Sequence, residues 1–272
     1  MLMFIAIPIV YSIGLSFFNW DMVRPNPKFI GFDNYTKLFA NSAFYKSFGL
    51  TLLFALMTVP TTLCIALGFA FMLDKGSKAT KLFYRSAFIS PMLTSTVAIS
   101  IVWIFIFHPD YGLANDVLRS IGLDTVRFLN DPATALPSLA VMSIWKAMGF
   151  SVIVLLAGIQ SIPGEVEEAA KVDGAGMWRT LLQIKLPLLT PSIFLLLILS
   201  TIDQFQTFTI VDVMTKGGPA KSTELIVSHL YHYGFERFQM GYASSIAVFI
   251  LLFTLFMTIV QMQVMNKRVH YQ

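Results

Sequence analysis

Charge is scarce in this chain, and cysteine is almost absent. Of its 272 residues, 12% are charged and 56% are hydrophobic. A soluble domain carries roughly 25% charged and about 45–50% apolar residues. Too few charges remain to coat a water-facing surface, which excludes an ordinary soluble domain. The single cysteine, Cys64, excludes a disulfide framework and any cysteine-based metal site. No basic run with interleaved aromatics occurs, and the net charge of +4 is modest, so nothing points to nucleic acid. There is no Gly-x-x-x-x-Gly-Lys-Ser/Thr phosphate loop, and no nucleophile elbow with Ser-His-Asp order. No basic stretch precedes the first apolar run and no small-residue cleavage pattern follows it, so a signal peptide is not the reading. That run, beginning at Met1, reads as a true span whose cytoplasmic lead-in is missing.

What the chain has in abundance is long apolar runs, and its mean hydropathy is +0.71. A helix needs about 20 apolar residues to cross a hydrocarbon core of about 30 Å. Six runs qualify: Met1–Trp20, Ser47–Leu73, Ser86–Phe107, Pro137–Gln160, Leu188–Val211 and Met240–Met265. Four are uncharged. The fourth contains Lys146 and the fifth Asp203. The expected fold is therefore all-α, a polytopic membrane protein of about six spans forming a single domain over 1–272.

Orientation is not settled by charge. With the amino terminus inside, segments 74–85, 161–187 and 266–272 hold Lys75, Lys78, Lys81, Arg85, Lys171, Arg179, Lys185, Lys267 and Arg268. Segments 21–46, 108–136 and 212–239 hold an equal number: Arg24, Lys28, Lys37, Lys46, Arg119, Arg127, Lys216, Lys221 and Arg237. The density of 74–85, and a 266–272 tail with two basic residues and no acid, favour that assignment under the positive-inside rule.

Segment 161–187 is more informative. Pro163 and Gly164 end the fourth span. Glu165, Glu167 and Glu168 follow, where carboxylates complement the positive end of a new helix. Gly174 and Gly176 end that helix, and a second amphipathic stretch leads to Leu186-Pro187. The expected shape is a helix-turn-helix lying against the membrane. Its small residues, Ala169, Ala170, Gly174 and Ala175, suit close approach by another surface.

These residues resemble the Glu-Ala-Ala loop of bacterial ATP-binding-cassette (ABC) importer permeases. Glu168-Ala169-Ala170 is followed at family spacing by Asp173-Gly174, then nine residues on by Ile184, Leu186 and Pro187, without a gap. Ile159-Gln160-Ser161-Ile162-Pro163, Asp173-Gly174-Ala175, Thr215-Lys216-Gly217-Gly218-Pro219 and Gly241-Tyr242-Ala243-Ser244 resemble the carbohydrate-uptake branch, which includes glycerol-phosphate permeases. The resemblance implies a core permease region of about 46–262 in the bacterial cytoplasmic (inner) membrane, with 161–187 on the cytoplasmic side. It implies a second homologous permease subunit, two copies of an ABC ATPase and an extracytoplasmic solute-binding protein. ATP and Mg would be used by the ATPase, and this chain would bind no cofactor. Glu165, Glu168, Ala169, Ala170, Asp173, Gly174, Ile184 and Pro187 would form the ATPase-docking loop.

Charges at bilayer depth cost about 2.5–3.5 kcal/mol on insertion scales and so face cavities or partners. Asp203, Gln206 and Thr207 share one helix face by spacing. A sugar would suit that face, with Phe205 or Phe208 stacking on it. Equally, Asp203 would serve as a hydrogen-bonding strut between helices or sit near the outer rim. Lys146 is expected to be structural, Trp103 and Trp145 to be packing or interface residues, and His229 and His232 to be solvated loop residues. An intramembrane enzyme would need catalytic groups on at least two spans, and a channel or secondary transporter would leave the loop unexplained.

Overall fold

The computed structural model describes residues 2–21, 25–74 and 76–266. Met1, Arg24, Lys75, Lys267 and Arg268 lie outside the described residues, as do the side chains of Lys78, Lys81, Arg85 and Lys171.

Helix α1 (Leu2–Leu15) is apolar but, at 14 residues, only about 21 Å long. It stops well before Trp20 because Asn34 reaches across and donates to the Ser16 and Phe18 carbonyls, at 2.8 and 3.0 Å. The chain instead forms a ribbon of β1 (Phe18–Asn19) and β2 (Lys28–Phe29), antiparallel with Phe18 opposite Phe29. Helix α2 (Asp33–Ala40) leads to α3 (Ser42–Asp74), a 33-residue helix that runs on through Pro60. Asn41 starts it by accepting from the Ala43 N–H at 3.0 Å.

Helices α4 (Lys78–Leu93) and α5 (Thr96–Ile106) occupy the third apolar run, but they meet at 110°. Pro91 removes one helical donor, the Thr94 hydroxyl donates to the Ser90 carbonyl at 2.9 Å, and Ser95 leaves the helical conformation with ψ 130°. The third apolar run, expected as one span, is thus divided by a sharp bend. Helix α6 (Leu113–Ser120) packs in the following loop, where buried Asn115 donates to the His108, Pro109 and Val126 carbonyls. Helix α7 (Pro132–Gln160) starts at Asp131, whose carboxylate accepts from the Ala133 N–H at 2.9 Å.

The next segment contains α8 (Gly164–Val172), α9 (Met177–Thr180), a π-helical stretch at Leu181–Lys185 and α10 (Leu186–Leu188). It bends by 62° into α11 (Thr190–Phe205). Helix α12 (Thr209–Met214), α13 (Ile226–Tyr231), a second π-helical stretch and α14 (Met240–Asn266) complete the chain. Among the described residues, α3, α7 and α14 are each long and apolar enough to cross a membrane. The two bent pairs raise that number to five, with α1 the sixth and shorter apolar helix.

Helices α3, α7 and α11 pack as the centre of the bundle around Leu63, Ala66, Leu155, Leu156, Leu189 and Leu196, all buried. A second cluster joins α3, α5, α7 and α12 through Phe54, Leu139, Met142 and Val211. A third seats α2 and α13 on α14 through Leu38, Ile226 and Ile246. Gly149 on α7 lets α4 approach so closely that an added Cβ would lie 1.8 Å from the Phe88 carbonyl oxygen.

Candidate functional site

Three of these helices leave a polar cavity of about 460 Å³ between them. Thr58 and Thr62 of α3 form one wall, and Ser143, Lys146, Phe150 and Ser151 of α7 another. The third comes from α11 and the turn beyond it: Asp203, Gln204, Gln206, Thr207 and Phe208. Asp203, Gln206, Thr207 and Phe208 are therefore brought together as the sequence suggested, but not on a regular helix face. Helix α11 ends at Phe205, short of the expected Val211. Gln206 donates its N–H to the Asp203 carbonyl at 3.1 Å and Thr207 to that of Gln204 at 3.3 Å. The helix thereby tightens and turns its last polar side chains into the cavity. Phe205 is buried against Phe253, 5.1 Å between ring centres, so of the two aromatics on this segment it is Phe208 that lines the space, with Phe150 of α7.

Buried Gln204 organises this wall. Its amide oxygen accepts from the Ser143 hydroxyl at 3.2 Å, and its amide nitrogen donates to the Asp203 carboxylate at 3.3 Å. Lys146 donates to the Thr96 hydroxyl, on the first residue after the α4–α5 break. Thr58 and Ser151 donate to carbonyls of their own helices, which leaves their oxygen lone pairs as acceptors. The cavity thus offers a carboxylate, an ammonium, amides, hydroxyls and an aromatic face. That set can exchange hydrogen bonds with a polyhydroxylated guest.

Sequence reasoning did not single out Gln204, Ser143, Thr58 or Thr62. The signal was present in spacing: Thr58 and Thr62 are four apart, and Ser143, Lys146 and Phe150 are three and four apart, within otherwise apolar runs. Trp103 and Trp145 pack edge-to-face at 5.7 Å. His229 is not a solvated residue. It is fully buried, with Nδ1 3.0 Å from the Glu224 carboxylate, which Lys221 also approaches at 3.2 Å. The His229 bond and Lys221 together hold the Glu224 carboxyl down to about 2, against the opposing effect of its burial. His232 pairs with Glu236 at a more exposed position.

The loop at 161–187 has the expected helix-turn-helix shape, with three differences. Glu165 and Glu167 occupy the first turn of α8, and Glu168 falls just beyond it. Ala170 is buried against its own chain and does not line an outer surface, while Glu165, Glu168, Ala169, Asp173 and Gly174 are exposed. Gly174 ends α8 in a left-handed conformation, φ +71°, with the Ala175 N–H bonded back to the Ala170 carbonyl at 2.9 Å. Gly176 is extended and begins α9 instead of ending α8. Ile184 is half-buried and Pro187 exposed. Val172, Met177 and Trp178 expose apolar surface beside the carboxylates.

Residues 38–270 match the family described as the binding-protein-dependent transport system inner membrane component. The chain belongs to this family. It is an integral inner-membrane permease of an ABC importer, a transport component and not an enzyme. Among its relatives is the probable ABC transporter permease protein YurN of Bacillus subtilis, 34% identical over 96% of this chain and 91% of that protein. The sulfoquinovosyl glycerol transport system permease protein SmoG of Agrobacterium fabrum is 34% identical over 97% of this chain and 86% of that one. A chain of a bacterial ABC transporter that imports the acidic polysaccharide alginate superposes with a TM-score of 0.82 at 27% identity. That match covers 99% of this permease and 92% of the other chain. An alginate transporter in complex with an alginate pentasaccharide-bound periplasmic protein matches equally well, at 25% identity over 96% and 88%.

Proposed function

We propose that this permease carries a carbohydrate or related polyol across the bacterial cytoplasmic membrane as a multi-pass subunit, paired with a second, homologous permease. An extracytoplasmic binding protein delivers the substrate. Two ATPase copies bind ATP and Mg, and one of them docks on α8. The observation that carries the reading is the polar cavity among α3, α7 and α11, in a molecule whose 161–187 loop exposes Glu165, Glu168 and Asp173 beside Val172 and Trp178. Hydroxyl-rich guests suit such a lining, and the carbohydrate systems of the relatives support the class. Lys146 on the cavity wall favours a second reading, in which the substrate is an acidic sugar or glycerol phosphate.

Uptake by the assembled transporter of radiolabelled maltose, an alginate oligosaccharide and glycerol 3-phosphate separates these readings. Accumulation of an amino acid and of none of the three would overturn both. Docking is tested by combining Glu168→Lys with Gly174→Asp. The variant should insert normally but neither recruit nor drive the ATPase. Normal substrate-stimulated ATP hydrolysis in it would refute the docking role.

A further inference from the structure

Lys185 occupies the unspecified position between Ile184 and Leu186 of the loop motif. Its side chain is buried among charges. The ammonium lies 3.0 Å from the Glu167 carboxylate on α8 and 3.3 Å from that of Asp74, the last residue of α3. Lys185 is only 9% exposed, whereas the Asp74 and Glu167 side chains that meet it are partly open to solvent. An ammonium in such a place is tolerated when paired and costly when a partner is removed. Glu167 and Glu168 are neighbours on α8 with opposite outlooks. Glu168 is exposed, whereas Glu167 turns toward Lys185. The π-helical stretch Leu181–Lys185 places the lysine at the point where three elements meet, and such stretches are frequent at functional positions.

We propose that Lys185 is a positioning residue that delivers movement of α8 to α3 through the Glu167–Lys185–Asp74 contact. The proposal rests on the reading that an ATPase grips α8. Covalent connections already link this loop to α7 and α11, but α3 lies elsewhere in the chain, 111 residues from Lys185 at Asp74. From Asp74 the helix runs without interruption to Thr62 and Thr58 on the cavity wall. The first of these is about 18 Å away at 1.5 Å per residue. A displacement of α8 would therefore reach one wall of the cavity through a charged contact.

The native Cys64 on α3 gives the test its probe. A spin label there, with a second on Leu252→Cys of α14, reports the α3–α14 distance in the complete transporter built with cysteine-free partners. Trapping with ATP and vanadate should shift the distance in the otherwise native protein. Asp74→Asn lies outside the docking surface. It should keep ATPase association and at least half the ATP hydrolysis, yet lose most of the shift. Lys185→Met should do the same, Lys185→Arg should restore the shift, and the Asp74→Asn, Lys185→Met pair should be no worse than Lys185→Met alone. A full shift in both single variants would overturn the proposal. Loss of ATPase association in both would also overturn it, because the contact would then only fold the loop. Absence of the ATPase from the native complex would defeat the docking reading first, before any variant is compared.

Discussion

His229 Nδ1 lies 3.0 Å from Glu224 Oε1, inside a segment that reads in sequence as an ordinary outer loop. The bond joins the turn before α13 to α13 itself, and the pair sits beside Thr223 and Ile226, which are fully buried. Ile226 in turn donates its N–H to the Thr51 hydroxyl of α3 at 2.9 Å. The segment that holds the pair is therefore tied to α3 by a polar contact.

Replacing Glu224 with Gln removes the charged partner of His229 and Lys221. A hydrogen bond to a charged group is worth about 1.5–3 kcal/mol, and the variant should lose about that much stability at neutral pH. The carboxyl is held low in the folded protein, so its contribution is complete above the ordinary value of 4.5 and fades as pH falls toward about 2. Melting temperatures of the wild type and Glu224→Gln should therefore differ at pH 7 and converge across that window. A gap that persists at the acid end would show that the side chain's shape, and not its charge, holds the loop.

Gln204 and Asp203 should separate by assay. Gln204→Leu leaves the Ser143 hydroxyl and the Asp203 carboxylate without their shared partner, at a cost of about 1–3 kcal/mol, seen as a lower melting temperature. Asp203→Asn keeps an acceptor toward Gln204 and should melt close to the wild type. Uptake should nevertheless fall about tenfold, the effect of about 1.4 kcal/mol in substrate interaction. Equal loss of stability in the two variants would make Asp203 a strut.

The legible and illegible parts of this molecule divide along physical lines. Hydropathy marks how far a chain stays apolar, and it located α3, α7 and α14 well. It carries no direction, so an uncharged run through Pro91, Thr94 and Ser95 looked straight although the helix turns by 110° there. The run past Phe205 carried no charge as far as Val211, which concealed the end of α11. The spacing from Glu168 to Pro187 revealed a helix-turn-helix and a glycine in the right place, because turn chemistry is local. Burial of His229 and Lys185 was not legible. Their partners Glu224, Glu167 and Asp74 are joined to them by tertiary packing; His229 looked like a solvated loop residue, and Lys185 counted only as one more loop cation.

Gly174 offers a test of local strain free of steric clash, since a Cβ built there meets nothing within 4 Å. Only its backbone, at φ +71°, resists substitution. Gly174→Asn should be tolerated, and Gly174→Val should cost about 1–2 kcal/mol locally. Proteolysis of the loop and ATPase co-purification should both rank glycine, asparagine and valine in that order. Equal behaviour of asparagine and valine would contradict the strain account.

Gly149 should behave in the opposite way to Gly49. At Gly49 on α3 a Cβ has open space, and alanine should be neutral or stabilising by about 0.5–1 kcal/mol through helix propensity. At Gly149 the Cβ would strike the Phe88 backbone at 1.8 Å, so alanine must push α4 away from α7. Overpacking of this kind costs typically 1–3 kcal/mol. Thermal unfolding of the two alanine variants in the same detergent decides the matter.

Helix α3 has 33 residues and is about 50 Å long, well beyond the thickness of a hydrocarbon core. Its first turns adjoin α2 and α13, and its last residue meets Lys185. One unbroken element is therefore long enough to extend beyond both faces of a hydrocarbon core. Linkage then imposes a symmetry on any transporter built around it. Whatever factor an external event gains by favouring one placement of α3, an internal event that favours the same placement must gain equally. On the proposed reading, affinity for the binding protein outside would then gauge the nucleotide state of the ATPase inside.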